Sequence, residues 1–324
     1  MDTAKSMPVQ NLDYEFYLDA VKEHREHQED WLRLGYAPRG FYVKDFCLIN
    51  DGGLWHLFHI AGTPGVSCGV PGNEIWFGHA TTRDFQRWET HDPCLYIDPG
   101  GWDNGHVFAP YVVRKDDEYW MFYTGCTLEN TQRIGAAVSS DLFHWRKVGD
   151  RPVIRPEEYA WAFCPTEKGS ACRDPHVALI DGRYHMYYTA VTRKGRGCVA
   201  RAVSGNLRDW SDCGPAYTFS RINHCESSNM QEQGGRYLLF FGGHHEYLSY
   251  VVSDNPFSWP DQEPLKLASR ITAMEVVARN GSRWLVAYFK FEVSRLFLGI
   301  VDWSEPDPRI VEVTSPPPLK EFGF

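Results

Sequence analysis

The chain has 324 residues, 43% of them hydrophobic and 23% charged, with a net charge of −9. That is the make-up of a globular protein with ample core, and its acidic balance argues against a nucleic-acid partner, since phosphate binding needs a basic face. No run of about 18 apolar residues offers a transmembrane helix, and the start, MDTAKSMPVQ, lacks the apolar stretch of a signal peptide, so no membrane association and a cytoplasmic location are expected.

Nine cysteines are scattered with no Cys-x-x-Cys pair. They read as free, mostly buried thiols in a reducing compartment, with no structural zinc site, no catalytic metal and no cofactor expected.

In chain order, residues 13–34, DYEFYLDAVKEHREHQEDWLRL, come first and predict a solvated helix docked by one end. A dimer contact or a pocket lid is the alternative reading of that helix. Residues 1–36 are thus set apart as a helical extension from a main domain at 37–324.

From there one unit recurs. Residues 44–62 read KDFCLINDGGLWHLFHIAG, residues 109–125 read APYVVRKDDEYWMFYTG, and residues 171–190 read ACRDPHVALIDGRYHMYYTA. Residues 226–243 and 273–290 follow with ESSNMQEQGGRYLLFFGG and AMEVVARNGSRWLVAYFK. Each is an apolar run, a tight polar turn, an aromatic and a second apolar run. The aligned aromatics are Trp55, Tyr119, Tyr184, Tyr237 and Trp284. After each of the first four copies comes another strand, a Ser/Thr-rich turn with Asp or Asn, and a tryptophan: Trp88, Trp145, Trp210 and Trp259. The fifth copy is abbreviated. Recurrence marks these tryptophans as packing residues rather than ligand contacts.

Two hairpins per copy make four antiparallel strands, and five copies make an all-β, five-bladed β-propeller. A pair of β-sandwiches would account for the strands but not for the repeated register. In a propeller the first strand of each blade lies nearest the axis, so equivalent positions on those strands face one pocket. Ten residues before each aligned aromatic stand Asp45, Ala109, Asp174, Ser227 and Met274, with Glu226 and Glu275 one place away from the last two. Asp45, Asp174 and Glu226 are therefore the candidate catalytic residues. Like charges gathered in one pocket oppose joint ionisation, so one carboxyl is expected to hold a proton near neutral pH, as a general acid must. Pro175 biases Asp174 towards extended backbone, and Arg173 is placed to hold Asp174 or a substrate.

These residues resemble the five-bladed glycoside hydrolases of families 32 and 43. Arg-Asp-Pro at 173–175 looks like the family 32 motif whose Asp contacts sugar hydroxyls. Phe-Ala-Pro at 108–110 looks like the Ala-Pro of family 43. Cys-Glu-Ser-Ser at 225–228 holds a Glu where both groups place the general acid, and Asp45 in Lys-Asp-Phe occupies the slot of the nucleophile or base. The chain departs from family 32 in having Phe46 after Asp45 and Cys225 before Glu226 rather than after it, and the family's β-sandwich domain is expected to be absent, since the sequence ends with blade 5. The resemblance implies a hydrolase of fructosyl or arabinosyl furanosides in small oligosaccharides. Glu226 would protonate the leaving oxygen, Asp45 would act at the anomeric carbon, and Asp174 would orient hydroxyls. A transglycosylase, a phosphorylase or a non-catalytic sugar-binding propeller could use the same scaffold, and a metal-dependent propeller such as a lactonase is a more distant alternative.

Loops reaching the same mouth supply further candidates for substrate binding: Trp102 and His106, Trp161, and His244. Each tryptophan either stacks on a sugar face or packs between blades. A small glycoside is the expected partner, and the oligomeric state is left open.

Overall fold

The computed structural model describes residues 30–163, 171–219, 225–243 and 247–324. Twenty strands form five four-stranded antiparallel sheets, each a meander of consecutive strands. Blade 1 is β1 (Tyr42–Asp51), β2 (Leu54–Gly62), β3 (Trp76–Thr82) and β4 (Glu89–Tyr96). Blade 2 is β5 (His106–Lys115), β6 (Glu118–Cys126), β7 (Gln132–Ser139) and β8 (Arg146–Lys147). Blade 3 is β9 (Cys172–Ile180), β10 (Arg183–Val191), β11 (Gly197–Ser204) and β12 (Ser211–Thr218). Blade 4 is β13 (Glu226–Gln233), β14 (Arg236–Gly243), β15 (Tyr247–Ser253) and β16 (Leu265–Ser269). Blade 5 is β17 (Ile271–Asn280), β18 (Arg283–Lys290), β19 (Leu296–Asp302) and β20 (Ile310–Glu312). The five-bladed propeller expected from the repeat is the fold.

Local chemistry explains the repeat. The first hairpin of blade 3 turns on Asp181 and Gly182 and that of blade 4 on Gly234 and Gly235, all at positive φ, as a two-residue turn that follows strand twist requires. The second signature is a capping turn. The Thr82 hydroxyl accepts the Phe85 N–H at 2.8 Å, and the Ser139 and Ser204 hydroxyls accept those of Leu142 and Leu207 at 2.9 Å. The chain then turns back, and the indoles of Trp145 and Trp210 donate to the carbonyls of Leu142 and Leu207 at 3.1 Å.

The core is five seams rather than one centre. One hydrophobic cluster joins blades 1 and 2 through Phe58, Phe77, Met121 and Leu142, and another joins blades 2 and 3 through Phe122, Ile134, Met186 and Tyr188. Blades 3 and 4 meet over Tyr187, Leu239 and Trp259, and blades 4 and 5 over Phe240, Tyr250 and Trp284. The aligned aromatics and the recurrent tryptophans fall in or against these seams.

Ring closure is different in kind. Every blade is one continuous segment, so among the described residues no exchanged strand locks blade 5 to blade 1. A short helix α1 (Trp31–Leu34) and residues 36–37 enter that seam instead, with Leu319 of the short 3-10 helix Pro317–Phe322. Tyr36 exchanges backbone hydrogen bonds of 2.8 and 2.9 Å with Leu296 of β19. Its ring stacks on Trp88 at 4.5 Å, and its hydroxyl meets the Thr90 hydroxyl at 2.8 Å. Of the helix expected over 13–34, the described part is α1; residues 1–29 lie outside the described residues. Replacing Tyr36 with Ala is expected to destabilise the protein by about 3 kcal/mol, since it empties a fully buried aromatic site at the closure; urea unfolding measures this directly.

Candidate active site

The five innermost strands share one irregularity. Each carries a β-bulge near its start: between Lys44 and Phe46, Phe108 and Tyr111, Arg173 and His176, Glu226 and Asn229, and Thr272 and Glu275. Four of the bulges hold a non-glycine residue in left-handed backbone: Ala109 at φ 47°, Asp174 at 59°, Ser227 at 51° and Ala273 at 51°. Such a conformation costs of order 1 kcal/mol or more per residue and re-aims the side chain out of the strand's alternation. Here it turns equivalent positions of the blades to the axis: all of them line a narrow axial cavity, and Asp45, Asp174 and Ser227 also line the larger cavity beside it. The fifth position is Ala273, not Met274, because a second bulge between Val276 and Ala278 adds one residue to β17. Met274 packs in the seam of blades 4 and 5 instead.

Asp45, Arg173, Asp174 and Glu226 all line one cavity of about 440 Å³. Asp174 is buried, at 7% exposure. Its backbone N–H donates to the Thr124 hydroxyl at 3.0 Å. Its Oδ2 accepts the Ser227 N–H at 2.8 Å and the Thr189 hydroxyl at 2.9 Å. The Ser227 hydroxyl in turn donates to Asp45 Oδ1 at 2.8 Å. One left-handed serine thus links the two aspartates, by its N–H to one and its hydroxyl to the other. Arg173 Nη2 lies 2.7 Å from Glu226 Oε1, and its Nε lies 3.5 Å from Asp174 Oδ2. Glu226 is the outermost of the three, its side chain 44% exposed.

Burial and the charge of Asp174 push the Asp45 carboxyl up to about 7, against the Ser227 hydrogen bond that favours ionisation. Asp174 is also raised, by burial first, with Arg173 opposing. The carboxyls that burial makes reluctant to ionise are therefore the two linked aspartates, which titrate as a pair. Below them the axial hole narrows to a cavity of about 30 Å³ beside Phe46, Tyr111, Pro175 and His176. Glu275 faces this lower cavity, not the mouth, and burial alone pushes it up to about 8.

Sequence reasoning passed over other residues of the wall. Lys44 Nζ lies 2.7 Å from Glu74 Oε1, which also accepts the Tyr42 hydroxyl at 2.7 Å. Glu74 Oε2 is buried with no hydrogen-bond partner. Gln132 Oε1 accepts from Arg173 Nη1 at 3.3 Å. Phe289 and Phe291 line the wall from blade 5. Glu74 and Gln132 follow the glycine-rich and polar loops after β2 and β6, where position relative to the axis was the only available signal.

Of the rim candidates, Trp102 stacks on Tyr123 at 6.0 Å within blade 2, over Gly125 and Gly135, whose missing Cβ atoms leave room for the indole. His106 is buried, its Nδ1 donating to the Asn73 carbonyl at 2.8 Å and its ring stacked on Phe108, which does line the cavity. Trp161 stacks on Tyr159 and donates to Asp212 Oδ2 at 2.8 Å on the outer part of blade 3. These three side chains pack behind the wall rather than line it. His244 lies outside the described residues.

Residues 46–218, more than half of the chain, match the family model described as the glycosyl hydrolases family 32 N-terminal domain. The chain belongs to glycosyl hydrolase family 32. The family 32 match spans blades 1 to 3, including Arg173 and Asp174. Among curated proteins, the chain is 31% identical over 170 residues to the insoluble isoenzyme of beta-fructofuranosidase from Arabidopsis thaliana, covering 49% of this chain and 26% of that one. It is 22% identical over 244 residues to a 1,2-beta-oligomannan phosphorylase from Thermoanaerobacter sp., covering 69% of this chain and 78% of that one. The chain thus spans about a quarter of the length of the first relative and most of the second. Among solved structures, fructan 1-exohydrolase IIa from Cichorium intybus superposes with a TM-score of 0.68 at 17% identity, over 86% of this chain and 59% of that one. At that identity the superposition shows the shared propeller.

Proposed function

We propose that the protein is a glycoside hydrolase that cleaves the bond of a terminal furanosyl group, fructosyl in the first instance, in small oligosaccharides. The observation that carries this reading is the meeting of Asp45, Asp174 and Glu226, from blades 1, 3 and 4 of a family 32 propeller, in one cavity. The fructoside chemistry named in two of the relatives supports the choice of sugar.

Each role follows from position. Asp45 lies deep, with its carboxylate held by Ser227, and acts at the anomeric carbon either directly or through water. Glu226 is reachable from the mouth and donates the proton to the departing oxygen. Asp174, fixed by Thr189 and the Ser227 N–H, accepts sugar hydroxyls beside the developing oxocarbenium ion. Arg173 orients Glu226 against Asp174. Exo action on a chain end is part of the proposal. A cytoplasmic site of action is part of the proposal, supported by eight free cysteines among the described residues.

The phosphorylase relative, aligned over most of its length, favours a second reading in which phosphate replaces water. Such an enzyme needs a cationic phosphate site. The two cations in the described cavity wall, Lys44 and Arg173, are both engaged by carboxylates.

The test is release of free sugar from a panel of fructo- and arabinofuranosides by the purified protein; activity on pyranosides alone overturns the furanoside assignment. The pH profile is a further expectation. Asp45 must be ionised to react, and its free-enzyme value is raised, so its reactive form is lost as pH falls through about 7. kcat/KM is expected to decline about tenfold per pH unit well below that point, measured by initial rates between about pH 5 and 8.

A further inference from the structure

The cavity has two unlike walls. Blades 1 and 3 line it with Lys44, Asp45, Glu74, Arg173 and Asp174, whereas blade 5 lines it with Thr272, Phe289 and Phe291. Phe289 is buried, at 2% exposure, but Phe291 is 45% exposed. Phe291 is nevertheless held in place. It meets the Phe289 ring edge-on at 5.6 Å, and its N–H donates to the Arg270 carbonyl at 3.2 Å. The same turn is tied outside the cavity by an ion pair between Arg270 and Glu292 at 2.6 Å. A held aromatic ring left open to a polar pocket offers a face on which a ligand's apolar face can pack.

Its position relative to the acid says what it binds. Gly242 of β14 is sandwiched between blades: a Cβ there would lie 2.7 Å from the Thr272 hydroxyl and 3.7 Å from Glu226 Cβ. Thr272 and Glu226 thus flank the same point of β14 and line the same cavity, and Phe289 is the cross-strand partner of Thr272. Phe289 and Phe291 line the same cavity as the general acid, on the blade that follows it. A group that receives its proton from Glu226 has this aromatic side of the cavity within its surroundings.

We infer that Phe291, backed by Phe289, forms the leaving-group subsite and selects aglycones with an apolar face, such as a pyranose ring or an aryl group. The inference rests on the proposed hydrolase reading and adds the specificity of its second subsite. A ring's C–H face packs on Phe291 while its hydroxyls remain in solvent, so the contact tolerates different sugars but not a small or highly charged leaving group.

The experiment compares sucrose, which has a ring aglycone, with β-fructofuranosyl fluoride, which has none, in the wild type, Phe291→Ala and Phe291→Trp. In Phe291→Ala the ratio of kcat/KM for sucrose to that for the fluoride is expected to fall about tenfold, chiefly through a higher KM for sucrose, with Phe291→Trp restoring the ratio. Thermal melts of the three proteins establish that each is folded. An unchanged ratio, or an equal loss on both substrates, overturns the subsite while leaving the hydrolase intact. Turnover of neither substrate by the wild type overturns the hydrolase reading on fructosides, and the subsite with it.

Discussion

Replacing Glu226 with Gln is expected to slow cleavage of sucrose by about 10²–10⁴-fold, the range for loss of a general acid, while cleavage of β-fructofuranosyl fluoride stays close to that of the wild type. The split follows from what each leaving group needs. A sugar alkoxide leaves only if protonated, whereas fluoride departs with little help. The substitution is conservative for the fold. Gln keeps the size and one carbonyl oxygen for Arg173, which retains its contacts with Asp174 and Gln132. kcat/KM on both substrates checks the expectation, and an equal loss on both would move Glu226 from proton donation to binding.

Asp45→Asn should behave in the opposite way, with activity on both substrates falling on the order of 10⁴-fold, because the carboxylate is needed whatever the leaving group. The same change should stabilise the fold at neutral pH. The Asp45 carboxyl is raised in the folded state, so the folded protein holds a proton that the unfolded chain has released. Its stability therefore falls as pH rises from the ordinary carboxylate range to about 7, and removing the charge recovers on the order of 1–3 kcal/mol above that point. Unfolding of wild type and variant at about pH 5 and 8 measures this. A gain in stability coupled to a loss of activity would mark Asp45 as strained for function. The crossed pattern of the two variants on the two substrates assigns the two roles without appeal to relatives.

The propeller was legible because its determinants are local and repeated. Each hairpin turn, each capping serine or threonine and each tryptophan is specified within a few residues, and five copies reinforce one another. The mouth positions Asp45, Ala109, Asp174 and Ser227 were reached by counting from the second-strand aromatic. The count failed at Met274 because a bulge at 276–278 has no residue signature, only a geometric effect on register. Ring closure by Tyr36 was not legible either. It depends on pairing with Leu296, a partner on the far side of the sequence. Trp102 shows the converse difficulty. A tryptophan in a loop beside the mouth looks like a sugar platform, but two glycines on neighbouring strands, Gly125 and Gly135, open a slot that takes the indole inside the blade. Glu74 and Phe291 escaped notice because they reach the cavity from loops, where no periodicity says which way a side chain faces. The acids could be found because strand register carries them; the cavity-lining residues on loops could not.

The central claim is that water, directed by Asp45 and Glu226, receives the furanosyl group in this cavity. Product analysis of sucrose turnover, with and without inorganic phosphate, tests it most directly. Free fructose and glucose in equal amounts, at a rate indifferent to phosphate, is the expected result. A glycosyl phosphate formed only when phosphate is supplied, or no product from the folded protein under either condition, would contradict it.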